Sequence, residues 1–394
     1  MIRRLLIAFA LVFGLIGPAS AIAAASPVPA AAGPTVSAPI TSGIVQGNDT
    51  WLVVPMGHLP HFLNTFWQLF VRTPTDNGWV TVTPPGVADN GGLVIAAGPG
   101  GSLLAGFLPN QDLTFSPLSL TDDGGRTWTG VYFPQGLIAV PDALGFTDAG
   151  ITLGLGSSKS GSVLESPADL SSWRTATTAA PLGHTAAGGR CGIVRLTAAA
   201  IAPSGDPLVG TACRNRGVIG LFDITGGGAR AVAFPTSPTL AGATVSVLRL
   251  VPTATGVSVL LAAHERTGRT TLVAGWLSGS GPAARLSASL AVPIGAKLLA
   301  SGTTPGGGVF VLVQPPGGGA PELADVAGSG VGRAAWDVLT PPPRGTLGAA
   351  FSPGRIDAVT VHSSTLIDYA FDESTATWVR SQVIDVPIQY GSSS

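Results

Sequence analysis

Charge is what this chain has least of. Only 10% of its 394 residues are charged, against roughly 25% in an average soluble domain. Lysine occurs only at Lys159 and Lys297, glutamate at Glu165, Glu265, Glu322 and Glu373, and tyrosine at Tyr132, Tyr369 and Tyr390. With 20 basic residues against 21 acidic ones the net charge is −1, which argues against a nucleic-acid-binding surface. Aromatic residues make up 6%, too few, with turns too short on both sides, for an outer-membrane barrel. Long helices are excluded as well, because 55 Gly and 33 Pro interrupt the chain throughout and both damage helix interiors. The hydrophobic share is nevertheless 45%, enough to bury a large core. What remains is a turn-rich, β-rich protein.

The N-terminus reads Met1-Ile2-Arg3-Arg4, then an apolar run from Leu5 to Ile16, then Gly17-Pro18-Ala19-Ser20-Ala21. A basic start, a short apolar stretch and a small-x-small ending make residues 1–21 a secretory signal peptide. The run is too short to span a bilayer. Cleavage is expected after Ala21, with Ala23-Ala24-Ala25 as the competing site. Loss of Arg3 and Arg4 leaves 18 basic against 21 acidic residues, a mature charge of −3. No Cys follows the apolar run, so a lipid anchor is not expected. Residues 22–42 read as a flexible Ala/Pro-rich leader, and 391–394 as a short tail. The expectation is a secreted or cell-envelope-associated protein without a membrane span in its mature form, and a monomer.

Between 43 and 390 a beat of about fifty residues recurs. Its marks are seven tight turns: Gln46–Asp49, Pro99–Gly101, Thr147–Gly150, Pro203–Asp206, Pro252–Gly256, Pro305–Gly308 and Ser352–Arg355. Each is followed at once by a β-type run, such as Leu103–Phe107 or Val309–Val313, and each interval has room for four short strands. Four-stranded units at this period predict an all-β, seven-bladed β-propeller of antiparallel blades, with six or eight blades as alternatives. Stacked sandwiches do not explain a single fifty-residue beat, and a β-helix repeat is much shorter.

One motif is specific. Thr121-Asp122-Asp123-Gly124-Gly125-Arg126-Thr127-Trp128 matches Ser/Thr-x-Asp-x-Gly-x-Thr-Trp. Asp123 can accept backbone N–H groups of a hairpin turn, Gly125 suits a positive φ, and Trp128 can pack between sheets. Weaker relatives are Ser166…Trp173 and Glu373…Trp378. On these residues and the period, the chain resembles the Asp-box (bacterial neuraminidase repeat), sialidase-like propellers. The stretch Cys191-Gly192 … Pro207–Cys213 is also similar to exported actinobacterial propellers of unknown function. The resemblance implies a box between third and fourth strands, with Thr121, Asp123, Gly125, Thr127 and Trp128 in structural roles. It does not imply activity, since the family includes hydrolases, sorting receptors and assembly factors.

Sialidases of that family use an arginine triad, a Tyr–Glu pair and an Asp. The Arg-Ile/Leu-Pro signature is absent here, and Glu165, Glu322 and Glu373 fall on the wrong side for a shared site, leaving only Glu265 in a plausible loop. No catalytic residue is therefore assigned. No zinc, nucleotide or flavin signature is visible, and no cofactor or metal is expected. His58-Leu59-Pro60-His61 has metal-like spacing, but Pro60 prevents a regular helix and no third ligand stands nearby.

In an exported protein Cys191 and Cys213 invite pairing, since a hairpin turning at Pro203–Asp206 brings them back side by side. The repeat register further sorts the loops. One end, with the first-to-second and third-to-fourth strand turns, collects Asp49, Asp76, Asp122, Asp123, Asp148, Asp169, Asp206 and Asp372. The other, where propellers habitually open their central site, collects all five histidines with Lys159, Arg190, Arg214, Arg216, Arg266 and Arg269, and Asp89, Asp112, Asp142 and Glu265 as acidic exceptions. A cationic mouth would favour an anionic ligand; the plainer account is that strands exclude charge while Asp prefers tight turns. The ligand-binding candidates are Arg190, Arg214, Arg216, His264, Arg266 and His362. The function expected is an exported, non-catalytic binding or scaffolding module at the cell envelope, for an anionic glycan or polymer or for a protein partner. The alternative is an exported glycoside hydrolase or lyase of sialidase-like fold.

Overall fold

The computed structural model describes residues 42–46, 48–57, 65–85, 92–108, 113–147, 151–157, 161–225, 228–278, 284–328 and 334–387. The expected signal peptide, the leader before Ser42, the tail, His58, His61, Lys159, Asp89, Asp112 and Asp148 lie outside the described residues.

The turn-punctuated runs become strands, each pairing antiparallel with the next in sequence. The first meander is β1 (Ser42–Gln46), β2 (Asp49–Gly57), β3 (Thr65–Arg72) and β4 (Val80–Thr81). The second is β5 (Leu93–Ala97), β6 (Leu103–Phe107), β7 (Ser116–Thr121) and β8 (Thr129–Phe133). Then come β9 (Leu144–Phe146), β10 (Thr152–Gly156), β11 (Ser162–Ser166) and β12 (Arg174–Thr178). The fourth contains β13 (Ile193–Ile201), β14 (Pro207–Arg216), β15 (Leu221–Thr225) and β16 (Gly228–Ala231). The fifth holds β17 (Thr244–Thr253), β18 (Gly256–His264), β19 (Thr270–Ser278) and β20 (Arg285–Val292). Next are β21 (Lys297–Thr304), β22 (Gly308–Gln314), β23 (Glu322–Val326) and β24 (Asp337–Val338). The last is β25 (Thr346–Ser352), β26 (Arg355–His362), β27 (Thr365–Asp372) and β28 (Thr377–Asp385). Every turn singled out in the sequence falls between the first and second strands of a meander.

Two further pairings cross between meanders. β14 pairs with β17 through Ala212↔Ser246 and Arg216↔Thr244, and β1 lies parallel to β21 through Ser42↔Ser301 and Gly43↔Gly302. The second contact requires glycine: a Cβ on Gly302 would stand 1.9 Å from the Gly43 carbonyl oxygen.

Apolar residues on the two faces of each sheet meet those of its neighbours. Trp51, Leu69, Leu93 and Phe107 join the first and second sheets. A larger cluster runs from Leu104 and Phe133 through Leu153 and Leu164 to Val209 and Phe222, spanning the second to the fourth. Leu208, Leu221, Val247 and Leu261 join the fourth to the fifth, and Leu260, Leu272, Val311 and Val313 the fifth to the sixth. Phe310 stacks on Phe351 at 4.9 Å between the sixth and seventh. Leu52, Val54 and Phe70 then meet Ala350, Val359 and Leu366, so the last sheet packs on the first. Successive four-stranded sheets packed face to face give a β-propeller fold.

Tryptophans reinforce these contacts. Trp173, Trp336 and Trp378 each donate the indole N–H to a carbonyl beside the outer strand of the preceding sheet, Tyr132, Ala288 and Thr340, at 3.1, 3.0 and 2.9 Å. An aromatic body thus fills the widening gap between sheets while its polar edge is satisfied. The sequence reading contains no helices, whereas the structure has α1 (Ala179–His184), α2 (Ala186–Cys191) and α3 (Pro238–Ala241). The Ala-rich connection at 179–191 supports the first two, and the Thr185 hydroxyl caps α2 by accepting from the Gly188 amide at 2.9 Å.

Candidate ligand-binding surfaces

The segment carrying Arg190 is fixed to the end of β14. Cys191 and Cys213 form a disulfide with Cα atoms 4.8 Å apart. The Arg214 amide donates to the Gly192 carbonyl at 3.0 Å, and Asn215 Nδ2 donates to the Arg190 carbonyl at 2.9 Å. Arg190, Arg214 and Arg216 are all exposed. Arg216 donates to the Gly242 carbonyl at 2.5 Å, which anchors one end of its fork. Among the described residues no carboxylate lies within ion-pairing distance of these three arginines or of Arg266.

Strand register brings His264 close to this group: Arg216 is opposite Thr244, and Thr244 is opposite His264. The His264 Nδ1 is 3.0 Å from the Thr270 hydroxyl, while Nε2 is buried without a hydrogen-bond partner. Burial pushes its pKa down and so favours the neutral ring, two strands away from Arg216. Arg266 lies exposed in the turn that follows. His362 ends β26 in the last sheet and is exposed, with the sixth sheet between it and the fifth. The structure therefore groups five of the six candidates on adjoining elements and sets His362 apart.

The loop at 121–128 folds around its aspartate. Asp123 Oδ1 accepts from the Arg126 and Thr127 amides, both at 2.9 Å, and Oδ2 accepts from the Thr127 hydroxyl at 2.7 Å. The Thr121 hydroxyl donates to Asp123 at 2.8 Å and accepts from the Gly125 amide at 3.0 Å. The hydrogen bonds from Thr127, backbone first, lower the Asp123 pKa to about 2. Gly125 has φ +86°, and a Cβ there would stand 2.7 Å from the Val82 side chain. Trp128 packs with Trp67 and Val82 on the cluster between the first two sheets.

A cavity of about 790 Å³ occupies the ends of the innermost strands, with Ile44, Ile95, Leu144, Ala200, Val251 and Thr303 in its lining. Its rim is built from first-to-second strand turns, among them Gly100, Pro203, Ala254 and Gly306. This is the end opposite the arginines, whereas the sequence reading expects the central opening on the arginine side. Asp142, the one charged residue among the described residues of the lining, receives Arg249 Nε at 3.0 and 2.9 Å on its two oxygens and the Leu250 amide at 2.6 Å. Arg249 also donates to the Ser301 carbonyl at 2.6 Å. The pair is 2% and 5% exposed and ties the third, fifth and sixth sheets together. Sequence reasoning missed it, although a lone arginine inside the apolar run Val245–Val251 was a usable signal.

A second buried polar group joins the last sheet to the first. Asp357 receives Arg72, and also Arg355 at 2.7 Å. Arg355 reaches Asp368 at 2.9 Å and the Ser381 hydroxyl at 2.7 Å, and Arg72 stacks over Trp79 at 4.3 Å. Burial, then the Asp357 charge, raise the Asp368 pKa to about 6. Of the glutamates, Glu165 is tied to Arg174 at 2.5 Å. Among the described residues no three His, Cys, Asp or Glu side chains converge on a metal position, and no helix is long and apolar enough to cross a membrane.

No protein-family model matches the chain, and no curated protein matches its sequence. Solved structures do resemble it. A 6-phosphogluconolactonase-like protein from Bacteroides uniformis superposes with a TM-score of 0.50 at 14% identity, over 86% of this chain and 97% of that one. One from Bacteroides fragilis gives 0.48 at 12% identity, over 86% and 96%. The Aleuria aurantia lectin, a six-bladed β-propeller that recognises fucose, gives 0.41 at 11% identity, over 89% and 96%. The likeness is one of fold alone.

Proposed function

We propose that this chain is an exported, non-catalytic β-propeller of seven blades and of the Asp-box kind, which binds an anionic glycan or polymer at the cell envelope. Seven meanders, joined in succession and last to first by apolar clusters, support the blade number. The hydrogen bonds converging on Asp123 support the Asp-box kinship. Export rests on the sequence Met1 to Ala21.

One observation carries the binding reading. Arg190, Arg214 and Arg216 stand exposed, without a carboxylate partner among the described residues, on a segment clamped by a disulfide. Unpaired guanidinium forks held in place suit carboxylate, sulfate or phosphate groups, and pre-organisation lowers the ordering cost of binding. Arg266 extends this surface and His362 contributes separately from the last blade, whereas His264, with its Nε2 buried, stands behind the surface rather than on it. An acidic protein partner would use the same chemistry.

The test is retention of extracted cell-envelope polymers by immobilised protein. Arg214→Ala with Arg216→Ala is expected to weaken retention at least tenfold, and added salt to weaken the wild type. Unchanged retention removes the proposal, and capture of a stoichiometric protein instead identifies the partner reading. Turnover of any substrate in a fluorogenic glycoside panel would overturn the non-catalytic half.

A further inference from the structure

We infer that the axial cavity is a second binding site, for an uncharged apolar molecule entering between the first-to-second strand turns. Its volume of about 790 Å³ is that of a small-molecule site. Its walls come from the innermost strands, with Ile95, Leu144, Ala200 and Val251 buried, so filling it removes apolar surface of both partners from water. Apart from Asp142, polar character comes from hydroxyls and turn backbone, such as Thr255 and Gly306.

Charge decides the class of ligand. Among the described residues no lysine or arginine is in the lining, so a carboxylate or phosphate inside would lose its hydration without a counter-ion. Asp142 does not supply a free charge, since both its oxygens are occupied by Arg249 and the Leu250 amide. The Asp49 carboxylate adds negative potential near the rim, lying 3.6 Å from where a Cβ on Gly101 would stand. Anions are thus disfavoured at this end and favoured at the other, which separates the two sites by chemistry as well as position.

The experiment uses the full mature chain and the neutral dye N-phenyl-1-naphthylamine, displaced by n-alkanols from octanol to tetradecanol. Dye fluorescence is expected to saturate at one site per chain. Each added methylene should tighten displacement about fourfold until the cavity is filled, and fatty acids of equal length should displace more weakly. Ala254→Trp at the exposed rim, and Ala97→Phe at a half-buried wall position, should each weaken the dye at least tenfold with the circular dichroism unchanged. Arg214→Ala with Arg216→Ala should leave it as it was. The inference is overturned if wild type binds no dye while still retaining envelope polymer, if both blocking variants bind dye normally, or if fatty acids match the alkanols. Loss of polymer binding with dye binding intact would instead remove only the proposal for the arginine surface.

Discussion

Arg249 and Asp142, separated by 107 positions in sequence, face each other with Arg249 Nε 2.9 Å from an Asp142 oxygen. The arginine belongs to β17 and the aspartate to the connection entering β9, so the pair bridges the third and fifth sheets at the inner end of the cavity. Removing one partner leaves a buried charge alone. Arg249→Met or Asp142→Asn is therefore expected to cost about 3–5 kcal/mol, whereas replacing both with apolar residues should cost far less. Urea unfolding of the two single variants and the double variant checks this, and additivity of the single losses would show that the pair is not coupled.

The Cys191–Cys213 bridge closes a loop with a sequence separation of 22. By chain-entropy reasoning, Cys191→Ser with Cys213→Ser should lower stability by about 3 kcal/mol. The same change frees the segment bearing Arg190, so polymer retention should weaken even where the fold persists. Stability and retention measured on one preparation separate these effects.

Legibility followed the range of the interaction. Turn chemistry is local, so every first-to-second turn could be placed from Gly, Pro and Asp, and the hairpin that closes the disulfide followed from one of those turns. The loop at 121–128 was legible for the same reason, because Asp123 meets its partners within four residues. Contacts between distant sheets left almost no local trace. Asp357 sits between Ile356 and Ala358 in a strand, and nothing nearby announces Arg72, whose partner lies 285 positions away. The cavity was misplaced because it depends on how far the strands that line it, β1, β5, β9, β13, β17 and β21, stand apart at each end. Where β1 meets β21 they close up; nearer the first-to-second turns they leave space.

Gly125 makes a sharper test of the 121–128 loop than Asp123 does, since its backbone is left-handed and its neighbour is close. At φ +86° with Val82 2.7 Å from a would-be Cβ, Gly125→Ala should cost about 1–2 kcal/mol from backbone strain alone. Val82→Ala should relieve the steric part and recover some of the loss. Thermal melting of the single and double variants gives both quantities. A neutral Gly125→Ala would mean that the loop rearranges freely and does not tie the second sheet to the first.

Two aspartates, Asp325 half-buried and Asp368 buried, give the stability an unusual pH dependence. Asp325 is raised to about 6, by burial first and then by Asp337, which lies directly opposite it across β23 and β24. Asp368 is also raised to about 6, by burial and then by Asp357. Between the ordinary carboxyl value of 3.8 and about 6, the folded chain holds protons that the unfolded chain has released. Stability from these two groups must therefore fall as pH rises through that window, and level off above it. Asp123, lowered to about 2, works in the opposite sense: its contribution is present above the ordinary value and lost as pH falls through about 2. Asp325→Asn removes one raised group without breaking an ion pair. Its urea midpoint should consequently change less than that of wild type between about pH 4 and pH 6, and exceed it at pH 7. If the variant keeps the full wild-type slope, Asp325 ionises as an ordinary carboxyl, and the cross-strand pair with Asp337 has no electrostatic cost.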